Sequence, residues 1–90
     1  MPVTVRVPGS LKEWFRGSDE ASCQAGTLGE CIDQLDRSFP GIRGCLLNEE
    51  GEMGAILIFL NGENVMKLEG LGTSISDGDE IGILPLAAGG

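Results

Sequence analysis

Apolar residues recur along this chain with two different periods, and the switches between them mark its elements. Val3, Val5 and Val7 alternate with Thr4 and Arg6, the period of a half-buried strand, and Pro8-Gly9 ends it. Residues 10–16 read as a short turn or helical piece with Trp14 and Phe15 as anchors, and a second strand is expected over 20–24. The period then changes. Leu28, Ile32, Leu35 and Phe39 recur at i, i+4, i+7 and i+11, one stripe of a helix, with Cys31 beside it. Thr27 followed three residues later by Glu30 fits a capping box, and Pro40-Gly41 stops the helix. Residues 41–54 show little regular pattern and read as a loop, tucked onto the core by Ile42, Leu46 and Leu47. Residues 55–60 are uniformly apolar, a strand closed by Asn61-Gly62, a pair suited to a type I′ turn. A short return strand is expected over 65–68, a turn at Ser76-Asp77-Gly78-Asp79, and a last strand over 80–86.

Strand, strand, helix, strand, short strand, strand predicts an α+β fold, with one main helix packed on one face of a mixed four- to five-stranded sheet. If the first and last strands lie side by side in its centre they run parallel, which is the β-grasp, or ubiquitin-like, topology. Residues 1–86 then form one domain, and 87–90 are a flexible C-terminal Gly-Gly tail. Ninety residues suffice for one modest core.

Charge narrows the functions. The formal net charge is −8, and the six basic residues are scattered rather than clustered, so neither nucleic acid nor an anionic membrane is an expected partner. No apolar run approaches the length of a membrane span, and the N-terminus has no basic region followed by an apolar stretch. A cytoplasmic protein is expected. The absence of histidine and tyrosine removes the usual bases of nucleophilic catalysis. Cys23, Cys31 and Cys45 are an odd number without a C-x-x-C pair, so neither a metal site nor an intramolecular disulfide is expected.

The tail is the remaining candidate for chemistry. Gly89-Gly90 places no β-carbon beside the terminal carboxylate and makes a backbone thin enough for a narrow channel. Fully extended, residues 85–90 reach about 20 Å. Ala87 and Ala88 continue the same small-residue run.

With the elements in this order, the chain resembles the MoaD/ThiS family of ubiquitin-like sulfur carriers. The resemblance rests on Asn61-Gly62-Glu63, then Asp77-Gly78-Asp79-Glu80-Ile81, then Leu84-Pro85 and Gly89-Gly90. The longer middle loop and the ending Ile-Leu-Pro-Leu-Ala-Ala-Gly-Gly are similar to the MoaD-like branch that includes CysO-type carriers. The resemblance implies that a ubiquitin-activating-type adenylyltransferase adenylates the Gly90 carboxylate with ATP. A sulfur donor then displaces AMP to leave a thiocarboxylate, and a sulfur-accepting synthase receives the sulfur, in molybdopterin or in cysteine and related sulfur-amino-acid synthesis. On this reading the chain is a co-substrate and not an enzyme. It binds no cofactor of its own, since ATP and Mg²⁺ belong to the activator.

Docking is expected on the sheet face away from the helix, through Phe59, Leu84 and Leu86, because alternation turns half of each apolar strand outward. Two other classes remain. A protein modifier would pass the same Gly90 acyl group to a lysine, and a β-grasp interaction domain would carry the tail incidentally.

Overall fold

Valine alternation at the N-terminus becomes β1 (Val3–Arg6) in the computed structural model of the protein, which describes residues 2–54 and 56–85. The other strands are β2 (Glu20–Cys23), β3 (Gly26–Thr27), β4 (Ile56–Leu60), β5 (Glu63–Asn64), β6 (Ser74–Ile75) and β7 (Glu80–Pro85). Five of them form a sheet in the order β2-β1-β7-β4-β5, while β3 and β6 make a separate two-stranded ladder. β1 and β7 run parallel at the centre, and β7 pairs antiparallel with β4. This is the β-grasp arrangement. Ala55 and Leu86, expected at the ends of the last two long strands, lie outside the described residues.

The main helix, α1 (Leu28–Ser38), begins where the capping box placed it. The Thr27 hydroxyl accepts from the Glu30 N–H at 3.2 Å, and the Glu30 carboxylate accepts from the Thr27 N–H at 2.8 Å. Gly26 makes room for this: its φ is +152°, and a β-carbon there would lie 2.6 Å from Glu30 Oε1. The Leu28 N–H donates to the Thr73 carbonyl at 3.0 Å, tying the helix start to the segment before β6. Leu28, Cys31, Ile32 and Leu35 are buried against the inward residues of the sheet, which include Val3, Val5, Ile56, Ile58, Ile81 and Ile83.

Several local expectations need correction. Phe39, the last residue of the predicted stripe, is only partly buried; it lies beyond the helix and packs on Phe15, with ring centroids 4.9 Å apart. Residues Gly9–Phe15 form a 3-10 segment in which Phe15 is fully buried, but Trp14 is 44% exposed and is no core anchor. Within the expected loop, Ile42–Leu46 form a short helix, α2. Its start is held by Asp36, whose carboxylate accepts from the backbone N–H groups of Gly41 and Arg43 at 3.2 and 3.0 Å. Ile42, Leu46 and Leu47 do reach the core. The return strand is Glu63–Asn64 rather than 65–68. There the Asn64 side chain accepts from the Met66 N–H at 2.8 Å and turns Val65–Lys67 into a 3-10 segment.

The cysteine expectation is also overturned. Cys23 and Cys31 form a disulfide, with Cα atoms 5.6 Å apart, and Cys45 is the free thiol. Cys23 points inward from the end of β2 and Cys31 inward from α1, and the turn through Gly26 and Thr27 brings the two together. Alkylating the denatured, unreduced protein is expected to modify Cys45 alone, and all three cysteines after reduction, as read by intact mass. Three modifications without reductant would remove the bridge.

The helix register makes its own prediction. Leu35 is 3% exposed, so Leu35→Ala is expected to cost about 2–5 kcal/mol in chemical denaturation. A change near zero would contradict this packing.

Candidate functional site

The tail residues Ala87, Ala88, Gly89 and Gly90, with Leu86 before them, lie outside the described residues. What the structure does describe is the strand that leads to them and the face that strand presents.

β7 buries Ile81 and Ile83, so Glu80, Gly82 and Leu84 point away from α1. β4 buries Ile56 and Ile58, which turns Leu57 and Phe59 the same way. The register places Leu57 opposite Leu84 and Phe59 opposite Gly82. Of the three expected docking residues, then, Phe59 and Leu84 share one face as diagonal neighbours, in pairs two register positions apart. Leu84 is 53% exposed, while Leu57 and Phe59 are half-buried. A partly exposed apolar cluster thus spans β4 and β7, the latter being the strand that precedes the tail in sequence. Leu57 and Gly82 were not singled out from the sequence; the period of two puts them on the same face, but their pairing with Leu84 and Phe59 depends on the strand register.

A polar trio borders this cluster. Arg6 donates to Glu20 at 2.8 Å through one terminal nitrogen and to Glu80 at 2.5 Å through Nε. The hydrogen bond to Glu80, its charge and that of Glu20 raise the guanidinium above its ordinary value. All three side chains are exposed, so the pairs add little stability.

The turn motifs behind the family resemblance do a structural job. Asn61 and Gly62 have φ of 49° and 87°, both positive, as a type I′ turn requires. The Asn61 side chain accepts from the Glu80 N–H at 2.9 Å and donates to Asp79 Oδ1 at 3.1 Å. Asp79 Oδ2 accepts from the Ser76 N–H at 2.8 Å, and the Asp79 carbonyl accepts from the Thr4 N–H at 3.0 Å. These bonds knit the β4–β5 turn, the turn before β7 and β1 at one end of the sheet. The tail leaves from the other end of β7. The bond from Ser76, then that from Asn61, holds the Asp79 carboxyl below the usual carboxylate range.

Little else suits catalysis. A groove of about 510 Å³ between residues 51–53 and 66–72 is lined by Met53, Met66 and Leu71 together with Glu52 and Glu69. Its polar side chains are the two carboxylates, with no Ser, Thr, Cys or Lys among the described lining residues. Cys45 is half-buried, and burial pushes its thiol up, which makes it a poor thiolate nucleophile at neutral pH. Among the described residues there is no group of three or more His, Cys, Asp or Glu that could hold a metal ion, and no helix long and apolar enough to cross a membrane.

The same architecture occurs in known proteins. The ThiS family model matches residues 5–90. The chain is 37% identical over the full length of both chains to the sulfur carrier protein CysO of Mycobacterium tuberculosis. It is 32% identical to small archaeal modifier protein 3 of Haloferax volcanii, covering 93% of this chain and 86% of that one. Among solved structures, the Amycolatopsis orientalis BexX/CysO complex contains a chain that superposes with a TM-score of 0.91. The two are 34% identical, with 98% of this chain and 99% of that one covered.

The Asp79 lock has a testable pH signature. Because the folded carboxyl is depressed, its contribution is fully present above the unfolded value of about 3.9 and is lost as pH falls through the folded value. The melting temperature of Asp79→Asn is therefore expected to lie below wild type at neutral pH, with the gap narrowing below about pH 4. A gap constant across pH would separate stability from this charge.

Proposed function

The chain belongs to the ThiS family, and on that premise we propose that it is a sulfur carrier whose reactive group is the Gly90 carboxylate. The observation that carries this reading is the full-length similarity to a sulfur carrier, which runs through the Gly-Gly end.

The chemistry follows from the tail. An adenylyltransferase joins the Gly90 carboxylate to the α-phosphate of ATP, releasing pyrophosphate and forming a mixed anhydride. Sulfide, or a donor persulfide with a reductant, attacks the carbonyl carbon and expels AMP, leaving a thiocarboxylate. Glycine at this position keeps a β-carbon away from the carbonyl under attack. The soft sulfur then passes to an acceptor enzyme, and the similarity to CysO favours cysteine or related sulfur-amino-acid synthesis over molybdopterin synthesis. ATP and Mg²⁺ act on the activating enzyme, and the carrier contributes its tail and a docking surface.

That surface is the cluster formed by Leu84, exposed on the strand that precedes the tail, with the half-buried Leu57 and Phe59 of β4 beside it. A second reading is favoured by the similarity to the small archaeal modifier: the same acyl adenylate conjugated to lysine. Lysine conjugates surviving in a denaturing gel would identify it.

Intact mass after incubation with the activating enzyme, ATP and sulfide tests the proposal. Wild type is expected to gain the difference of one oxygen replaced by sulfur. Deleting Gly90 is expected to abolish that gain while leaving the melting curve unchanged, and Leu84→Asp to weaken binding to the activator in a folded protein, since it leaves a desolvated charge at an apolar contact. A deletion variant that gains sulfur equally well would refute the assignment of Gly90.

A further inference from the structure

Gly82 stands in the middle of β7, where a glycine suits a strand least. It has no side chain to pack, and it loses more backbone freedom on folding than any other residue. Three internal reasons could keep it there, and the structure removes each. Its φ is not among the positive values of the chain, so an L-residue can take this backbone. A β-carbon built on it meets no heavy atom within 4 Å, so no neighbour in the described fold needs the space. Phe59 is its antiparallel partner, and an aromatic ring can cover a strand glycine from that position. A ring lying over Gly82 would contact the added β-carbon, and none does. The vacancy faces outward.

Its surroundings describe what would fill it. Across the strands, Gly82 lies between Arg6 on β1 and Phe59 on β4, and along β7 between Glu80 and Leu84. The result is a notch in the sheet face whose floor is bare β7 backbone. One wall is apolar, formed by Phe59 and Leu84. The other is the Arg6–Glu20–Glu80 trio, where two carboxylates outweigh one guanidinium and leave a negative rim on a chain of net charge −8.

We propose that Gly82 is the seat for an apolar side chain of the adenylating partner, presented among Lys or Arg residues that meet Glu20 and Glu80. The seat rests on the sulfur-carrier reading, because the strand that holds it continues into the tail the partner must take up. A side chain at 82 would leave the fold alone and keep the two protein surfaces apart.

The test compares Gly82→Val and Gly82→Ala with Ser22→Val, an exposed position on the edge strand β2, on the same sheet face but away from the notch. Thiocarboxylate formation is followed by intact mass with the same organism's ubiquitin-activating-type adenylyltransferase, ATP, Mg²⁺ and sodium sulfide, varying the carrier concentration. Gly82→Val is expected to raise the half-saturating concentration about tenfold or more, with the saturating rate within about twofold of wild type. Its melting temperature is expected to equal or exceed wild type, with Gly82→Ala intermediate in the kinetics and Ser22→Val unchanged. A Gly82→Val protein that saturates the enzyme as wild type does would overturn the seat, and so would one that melts lower, since the glycine would then serve the fold. If folded wild type forms no thiocarboxylate, the carrier reading falls and takes the seat with it. If wild type reacts and Gly82→Val is unaffected, only the seat falls.

Discussion

The central position of β7 is the constraint on which the rest of this structure depends. It is paired on both sides, parallel to β1 and antiparallel to β4, so its register is set twice. A strand points successive side chains to opposite faces, and Ile81 and Ile83 must be buried beneath α1. Gly82 and Leu84 are then forced outward, where Leu57 and Phe59 join them across the β4 pairing. A slip of β7 by one residue would turn Ile81 and Ile83 outward and Leu84 inward. The same strand leads into the tail, so the surface proposed for recognition and the end proposed for chemistry are connected through one rigid element.

That register is held from the end of the sheet where β7 begins. Asn61 donates to the Asp79 carboxylate and accepts from the Glu80 N–H, joining two turns, and the Asp79 main-chain carbonyl takes up the Thr4 N–H, so three strands are pinned together at this end. At the helix start, the capping box, the space left at Gly26 and the Cys23–Cys31 bridge converge within one stretch of chain. Both clusters serve rigidity. This division suits the proposed carrier role, in which the folded body presents a face and the terminal carboxylate carries the chemistry.

Much of this was legible beforehand. Helix α1 could be read because its apolar stripe, its Thr27/Glu30 cap and its Pro40 stop all lie within one short window. β1, β4 and β7 could be read from alternation, from a run of apolar residues and from flanking Asn-Gly and Asp-Gly turns. The outward direction of Phe59 and Leu84 followed from the same period of two.

What the sequence by itself determined were the features whose cause is local: which segments are helix or strand, where they stop, and that a small-residue tail follows the last strand. Tertiary structure decided the features whose cause lies elsewhere in the chain. α2 forms with its cap supplied by Asp36 on the preceding helix, so its own window shows no starting signal. Cys23 and Cys31 meet because a strand end and a helix face are folded against each other, a distance their spacing does not encode. Trp14 stays out and Phe15 goes in because only one side of that segment faces the core. The vacancy at Gly82 appears only when β1 and β4 stand beside it, since whether a missing side chain leaves a gap depends on neighbours that are distant in sequence.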